Sequence, residues 1–388
     1  MLNAGVNSPI LQFGTSRFLQ AHVDLFVSQA MAAGDALGGI AVVQTTRSAE
    51  SSARVAALSA GGGYPVRIRG VRQGATVDVT LRGEAVREAL NADTQWPRVR
   101  ELAFDAQVIV SNTGDSGYQL DERDDAALLA QPERVPRSFP AKLLVLLHGR
   151  WLQRPDAPLS LYPCELVSRN GDVLRGVVTQ LAEQWAAPAG LVAYLERHCL
   201  WANSLVDRIV SEALQPVGAV AEPYALWAIE RQPGLVLPCT HEAVVLTDDL
   251  AHHERLKLLL LNLGHSFLAE RWLLDHRPPG QTVLQAMHDP VMRGELETLW
   301  GDEVLPLFDA LGQREQALAY LDDLRDRLLN PYLAHRLADI AQNHAQKKQR
   351  RFAPAVALAR ELKLPLAQTR LHAALESTTL GGPLRDTP

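Results

Sequence analysis

The densest set of chemistry-bearing side chains lies in one apolar stretch, Glu254-Arg255-Leu256-Lys257-Leu258-Leu259-Leu260-Leu261-Asn262-Leu263-Gly264-His265-Ser266-Phe267-Leu268. On a regular α-helix, at about 100° per residue, setting Lys257 to zero puts Glu254 at about 60°, His265 at about 80° and Asn262 at about 140°. The four polar groups share one arc, and the surrounding leucines and Phe267 predict a helix buried nearly all round. Such groups must hydrogen-bond one another or a ligand, because an unpaired buried polar group costs about 1 to 3 kcal/mol. Proton exchange with a secondary alcohol fits these residue types. Desolvation lowers the pKa of a lysine toward neutrality, so Lys257 can take a hydroxyl proton while Asn262 and His265 polarise the developing C–O⁻. The pattern equally suits a lysine snorkelling from a domain-boundary helix, with Asn262 and His265 satisfied by backbone.

Lysine is scarce here. Of 38 basic residues five are lysine (Lys142, Lys257, Lys347, Lys348, Lys363) and 33 are arginine. Arginine cannot release its proton near neutral pH, so the scarcity marks Lys257 first, with Lys142 and Lys347 behind it. Cys164, Cys199 and Cys239 are an odd number with no CxxC, which argues against a disulfide framework or a zinc ribbon and for a reducing, cytoplasmic setting. No metal is expected, since a lysine can do the proton chemistry that zinc does elsewhere.

The elements that must position these groups are legible in outline. The 388 residues, 47% hydrophobic and 21% charged with a net charge of −6, suit two or three packed domains and no nucleic-acid partner. No apolar run approaches the roughly 18 residues needed to span a bilayer, and the first residues show no basic, apolar leader pattern. Apolar runs at Ile10–Phe13 and Ile40–Gln44 flank a helical pattern over 17–33, a βαβ unit. Strict alternation over 65–83, around Arg72-Gln73-Gly74, reads as an inserted hairpin. Further strands are expected at 107–111, ending in Asn112-Thr113-Gly114-Asp115-Ser116-Gly117, at 159–164 before a helix to about 185, and last at 243–247. Beyond about 249 only helices are expected. The fold class is therefore α/β: a Rossmann-like N-terminal domain with a mostly parallel sheet (1–250), then an all-α C-terminal domain (251–388).

In such folds the first βα turn presents backbone N–H groups to a dinucleotide pyrophosphate. Here it reads Gly14-Thr15-Ser16-Arg17-Phe18-Leu19, keeping the first of three expected glycines; Ser16 can cap the helix and Arg17 adds charge, yet a capped turn without ligand fits as well. After the second strand, Thr46-Arg47-Ser48 replaces the acidic residue that would hold the NAD ribose, so NAD and NADP both stay open. Asn112 and Thr113 end the 107–111 strand on the same side.

Lys257, Asn262 and His265, at that spacing, together with Asn203-Ser204-Leu205-Val206-Asp207-Arg208-Ile209-Val210, Glu222-Pro223-Tyr224 and Trp227-Ala228-Ile229-Glu230, resemble the polyol-specific long-chain dehydrogenases, the mannitol dehydrogenase family. Trp201 replaces the usual Phe or Ser. The resemblance covers nearly the whole chain. Ser111-Asn112-Thr113, the segment 138–143 and Pro163-Cys164-Glu165-Leu166 are most similar to the tagaturonate reductase arm of the tagaturonate and fructuronate reductases, whereas mannitol dehydrogenases generally carry Ser-Cys-Asp-Asn where this chain has Pro163-Cys164-Glu165-Leu166. The resemblance implies an NAD(P)-dependent dehydrogenase acting on CH–OH groups, with Lys257 as acid/base; Glu254, one turn earlier, suits either a proton relay to solvent or an i,i+3 ion pair. It also implies a substrate that is an open-chain sugar acid or polyol, touched by Asn203, Asp207, Arg208, Lys347 and Arg351, and a monomer or homodimer. The alternatives are a solvated basic face at 347–351, a structural Asp207–Arg208 pair, a polyol-phosphate dehydrogenase, and a dinucleotide-binding sensor without turnover. The chain is about a hundred residues shorter than a typical hexuronate reductase.

Overall fold

The structure, a computed structural model, describes residues 8–114 and 116–377; the leader reading at 1–7 and Asp115 of the expected loop lie outside them. The strands are β1 (Ile10–Phe13), β2 (Ile40–Gln44), β3 (Tyr64–Arg72), β4 (Ala75–Gly83), β5 (Val86–Asn91), β6 (Val108–Ser111), β7 (Leu159–Pro163), β8 (Cys199–Trp201), β9 (Ser204–Asp207), β10 (Val210–Ala213), β11 (Ala219–Ala221), β12 (Leu226–Glu230) and β13 (Val244–Thr247). Six form one sheet in the order β5-β2-β1-β6-β7-β8, parallel throughout, with Ile10 opposite both Ile40 and Val108. Every residue of β1, β2, β6 and β7 is buried. Helices cover both faces of a parallel sheet, and that is why these strands read as unbroken apolar runs. The order runs outward from β1 on one side and from β6 on the other. A crevice therefore opens beyond the carboxyl ends of these two strands, beside Gly14 and Asn112.

Three expectations need correction or completion. The single helix over 17–33 is two, α1 (Arg17–Gln20) and α2 (Val23–Ala33). The chain leaves helical geometry at His22 (φ −125°, ψ −99°), whose ring bonds the Leu226 carbonyl at 3.1 Å, a long-range contact that no local residue signals. β5, with Arg87 and Glu88 in a half-exposed edge strand, has neither an apolar run nor clean alternation and escapes sequence patterning. The hairpin is present as β3 and β4, turning through Gln73 (φ 53°) and Gly74 (φ 72°). It joins a second sheet, β10-β11-β3-β4, in which β3 pairs in parallel with β11. The expected final strand, β13, belongs to a small third sheet, β13-β12-β9.

The chain forms two compact units. One holds the parallel sheet. The other comprises the helices from Ala251 onward, together with Arg69–Asp78 and Glu222–Tyr224. Its core is packed from Leu260, Leu268, Met292, Trp300, Phe308, Leu321 and Phe352. Glu222 is tied into this helical unit by a buried two-pronged pair with Arg327 (2.9 and 3.0 Å), whose guanidinium also lies 4.2 Å from the Tyr224 ring centroid. No helix among the described residues is long and apolar enough to cross a membrane.

Candidate active site

Lys257, Asn262 and His265 lie on one continuous helical rod, but the rod is not a regular α-helix. Leu250–Leu256 is α-helical, Lys257–Asn262 forms a π-helical turn, and Leu263–Leu274 resumes the α-helix. The N–H of Leu263 accordingly reaches back to the carbonyl of Leu258, five residues earlier. The regular wheel therefore misplaces the side chains. A π turn advances only about 82° per residue. From Lys257 at zero, Asn262 then falls at about 50° and His265 at about −10°, with Glu254 still at about 60°. The arc narrows from about 140° to about 70°. Such turns, one residue longer than an α-turn, are rare and concentrate at functional sites.

Burial along the rod also differs from expectation. His265 and Leu259–Leu261 are buried, whereas Glu254, Lys257 and Asn262 are half-buried, leaving the polar arc within reach of a ligand. Among the described residues the deeply buried lysines are Lys142 and Lys348. Lys142 donates to the Arg137 carbonyl at 2.7 Å, and burial pulls its pKa down to about 8 despite Asp93 and Asp124. Scarcity thus marks two lysines held structurally as well as Lys257.

The helix His344–Arg351 contributes its basic residues to this rod. Arg351 donates to the Ser266 hydroxyl at 2.9 Å and to the Asn262 carbonyl at 3.4 Å, and burial lowers its pKa. Lys347 donates to the Ile340 carbonyl at 2.8 Å, and its pKa is lowered by burial and by Arg351. Lys348 is buried, donating to the Ser377 carbonyl at 2.7 Å and lying 3.7 Å from Glu270. A uniformly solvated basic face is therefore wrong for 347–351; Arg350 alone of the four cations is exposed. His335, which sequence reasoning missed, stacks edge-on against His265 with ring centroids 4.9 Å apart. Its pKa is lowered by burial and then by Lys347 and Arg351, with Asp339 opposing. A lone histidine seventy residues from its neighbour leaves no sequence signal.

In the sheet unit, Gly14 has φ 121°, and a Cβ there would stand 2.5 Å from the Asn112 carbonyl oxygen. This glycine is required by the close approach of the strand beside it. Ser16 caps α1, its hydroxyl accepting from Leu19 N–H, and it donates to Asn112 Oδ1 at 3.4 Å. Asn112 in turn donates to the Cys164 carbonyl at 2.8 Å. Thr113 gives its N–H and its hydroxyl to Glu165, both at 2.9 Å, and Ser111 and Tyr118 complete a set of donors around that buried carboxylate. Glu165, within the family-like segment 163–166, thus holds the loop after β6. Thr15 offers its carbonyl to Arg54 at 2.9 Å; Arg54 also pairs with Glu50. Arg17 is exposed and Phe18 stacks on His22 at 4.7 Å. A turn beside the crevice with a capping serine and nearby arginines suits a dinucleotide, although α1, four residues long, lends it little dipole.

Beyond β2, Thr46 donates to Ser51 at 3.2 Å, and Arg47 is engaged by Asp93 at 2.7 Å. Asn203 is buried with its amide occupied, donating to Glu230 at 2.7 Å and accepting from the Asp172 N–H at 3.1 Å. Asp207 is buried, and Arg208 donates to the Ala21 carbonyl at 2.7 Å. Among the described residues no His, Cys, Asp and Glu cluster is arranged to hold a metal ion.

Comparison with known proteins places this arrangement. The profile of the mannitol dehydrogenase Rossmann domain matches residues 8–235, and that of the mannitol dehydrogenase C-terminal domain matches residues 249–375. An altronate oxidoreductase of Halalkalibacterium halodurans is 30% identical, covering 89% of this chain and 69% of that protein. One of Bacillus subtilis is 29% identical, covering 89% and 74%. The fold is that of a D-sorbitol dehydrogenase solved in substrate-free form (TM-score 0.79, 21% identity, 96% of this chain and 80% of that one). It is also that of the Pseudomonas fluorescens mannitol 2-dehydrogenase solved with NAD and D-mannitol (TM-score 0.72, 18% identity, 96% and 79%). The chain belongs to the mannitol dehydrogenase family and is an oxidoreductase of the dehydrogenase type.

Proposed function

We propose that the chain interconverts a secondary alcohol and a ketone on an open-chain sugar acid of the altronate and tagaturonate kind. A nicotinamide dinucleotide, when bound, supplies or accepts the hydride. Lys257 exchanges the hydroxyl proton, Asn262 and His265 polarise the oxygen, and Glu254, one turn earlier, passes protons toward solvent. The observation that supports an acid over a neutral polyol is the basic cluster on the Lys257 rod. Arg351 rests on Asn262 and Ser266, Lys347 follows one turn away, and His335 packs on His265. Burial holds the pKa values of all three down, and neighbouring cations add to it for His335 and Lys347, so a carboxylate arriving there relieves both effects.

Gly14, Thr15, Ser16, Asn112 and Thr113 line the dinucleotide crevice in this reading, with Arg17, Phe18 and Thr46 at its edge. NAD is favoured over NADP because Arg47, the cation nearest a 2′-phosphate, is already paired with Asp93. Asp207 and Arg208 remain proposed substrate-side residues. Asn203, with its amide occupied, supports the strand that bears them. The domain boundary is proposed near residue 250, and the enzyme as cytoplasmic. Steady-state assays with altronate, tagaturonate, mannitol, sorbitol and mannitol 1-phosphate, each with NAD(H) and NADP(H), test the proposal. A sugar acid with NAD(H) is expected to give the highest kcat/KM. A higher value for mannitol, or dinucleotide binding without any turnover, would refute the substrate or the reaction respectively.

A further inference from the structure

The π turn at Lys257–Asn262 needs something to hold it, because a regular α-helix satisfies the same backbone groups with better geometry. The holding group comes from elsewhere in the helical unit. Trp300 is fully buried and opens a second π turn, Trp300–Val304. Its indole N–H donates to the carbonyl of Leu260, in the middle of the first π turn, at 3.2 Å. In a regular α-helix that carbonyl would accept from the N–H of Gly264, four residues on. Gly264 is where the ring lies: a Cβ at this position would stand 2.8 Å from Trp300 Cζ2. Glycine at 264 lets the indole approach, and the indole occupies an acceptor that the α-helical register would use. Arg351 caps the same turn at its other end, through the Asn262 carbonyl.

We propose that Trp300 is a positioning residue for Lys257, Asn262 and His265, its indole N–H holding the π register that gathers them on one arc. The inference rests on the reading of Lys257 as the acid/base. Loss of the π register turns Asn262 by about 90° around the rod relative to Lys257. Side chains at that radius then move by several ångströms, where about one ångström already costs on the order of a hundredfold in rate.

Trp300→Phe keeps a smaller aromatic ring and removes the N–H. The proposal predicts a fall in kcat of at least tenfold, with the NADH dissociation constant unchanged within twofold. It further predicts that Trp300→Phe added to Lys257→Ala lowers the residual rate by less than twofold, since Trp300 acts through Lys257. Full multiplicative loss in the double variant, or wild-type kcat in Trp300→Phe, would overturn it. Gly264→Ala, which pushes the ring away, should reproduce the same split and stands in if Trp300→Phe does not fold. If neither variant folds, a crystal structure of the wild-type protein decides: a π turn with the indole on Leu260 upholds the proposal, and a regular α-helix over 257–262 defeats it. Unchanged turnover in Lys257→Ala alone would instead refute the acid/base reading.

Discussion

Two irregular backbone segments, the turn at Gly14 and the π turn at Lys257–Asn262, are built in opposite ways. At Gly14 the chain is tightened: a positive φ and a missing side chain let β1 close on the Asn112 carbonyl, and α1 ends after four residues. At Lys257 the helix is loosened by one residue, and side chains that a regular helix would spread over a wide arc are gathered. Both rely on a group distant in sequence, Asn112 in one case and Trp300 in the other. The difference lies in where the chemistry resides. In the proposed mechanism backbone and a capping serine serve the first segment, whereas in the second Lys257, Asn262 and His265 act and the backbone aims them.

That contrast can be broken at the tight end first. Gly14→Ala forces a left-handed φ on a residue with a Cβ and drives that carbon into the Asn112 oxygen, so a loss of at least about 3 kcal/mol in urea unfolding is expected. A stability within 1 kcal/mol of wild type, on the order of ordinary surface changes, would show that the closure is not required.

A second effect of similar size sits on α2, just past the same turn. Burial raises the Asp24 pKa from 3.8 to about 6, against opposing hydrogen bonds from Tyr64 and Gln12. Below pH 4 both folded and unfolded chains hold this proton. As pH rises through 4 to 6 the unfolded chain releases it first, so folding stability falls by about 3 kcal/mol and stays lower above pH 6. Asp24→Asn keeps an acceptor for the Tyr64 hydroxyl, which lies 3.0 Å away, and removes the penalty. Unfolding free energies should match at pH 4 and favour the variant at pH 7.5. Equal stabilities at both pH values would contradict the assignment.

The loose end yields a smaller, more selective effect. Arg351→Ala should raise KM for the sugar acid by on the order of a hundredfold, about 2.7 kcal/mol, and leave KM for a neutral polyol and the NADH dissociation constant within threefold. An equal rise for acid and polyol would assign Arg351 to the helix rather than to the carboxylate.

What the residues revealed beforehand follows the same contrast. The strands β1, β2, β6 and β7 were legible because burial on both faces demands unbroken apolar runs. Lys257, Asn262 and His265 stood out as candidates because their types are costly in an apolar helix. The π register was not legible, since its cause is an indole forty residues away. The break at His22, the edge strand β5 and the placing of His335 beside His265 were hidden for the same reason. Each depends on long-range packing that local spacing does not encode. The Arg47–Asp93 pair was hidden too, because Asp93 arrives from the helix after β5.

In the proposed mechanism the loosened helix aims Lys257 at a substrate hydroxyl. The turnover number of Lys257→Ala, measured on the best sugar acid with NADH affinity determined on the same preparation, tests it most directly. A loss of about a thousandfold in kcat with NADH binding unchanged is expected; a loss of less than tenfold would contradict that role.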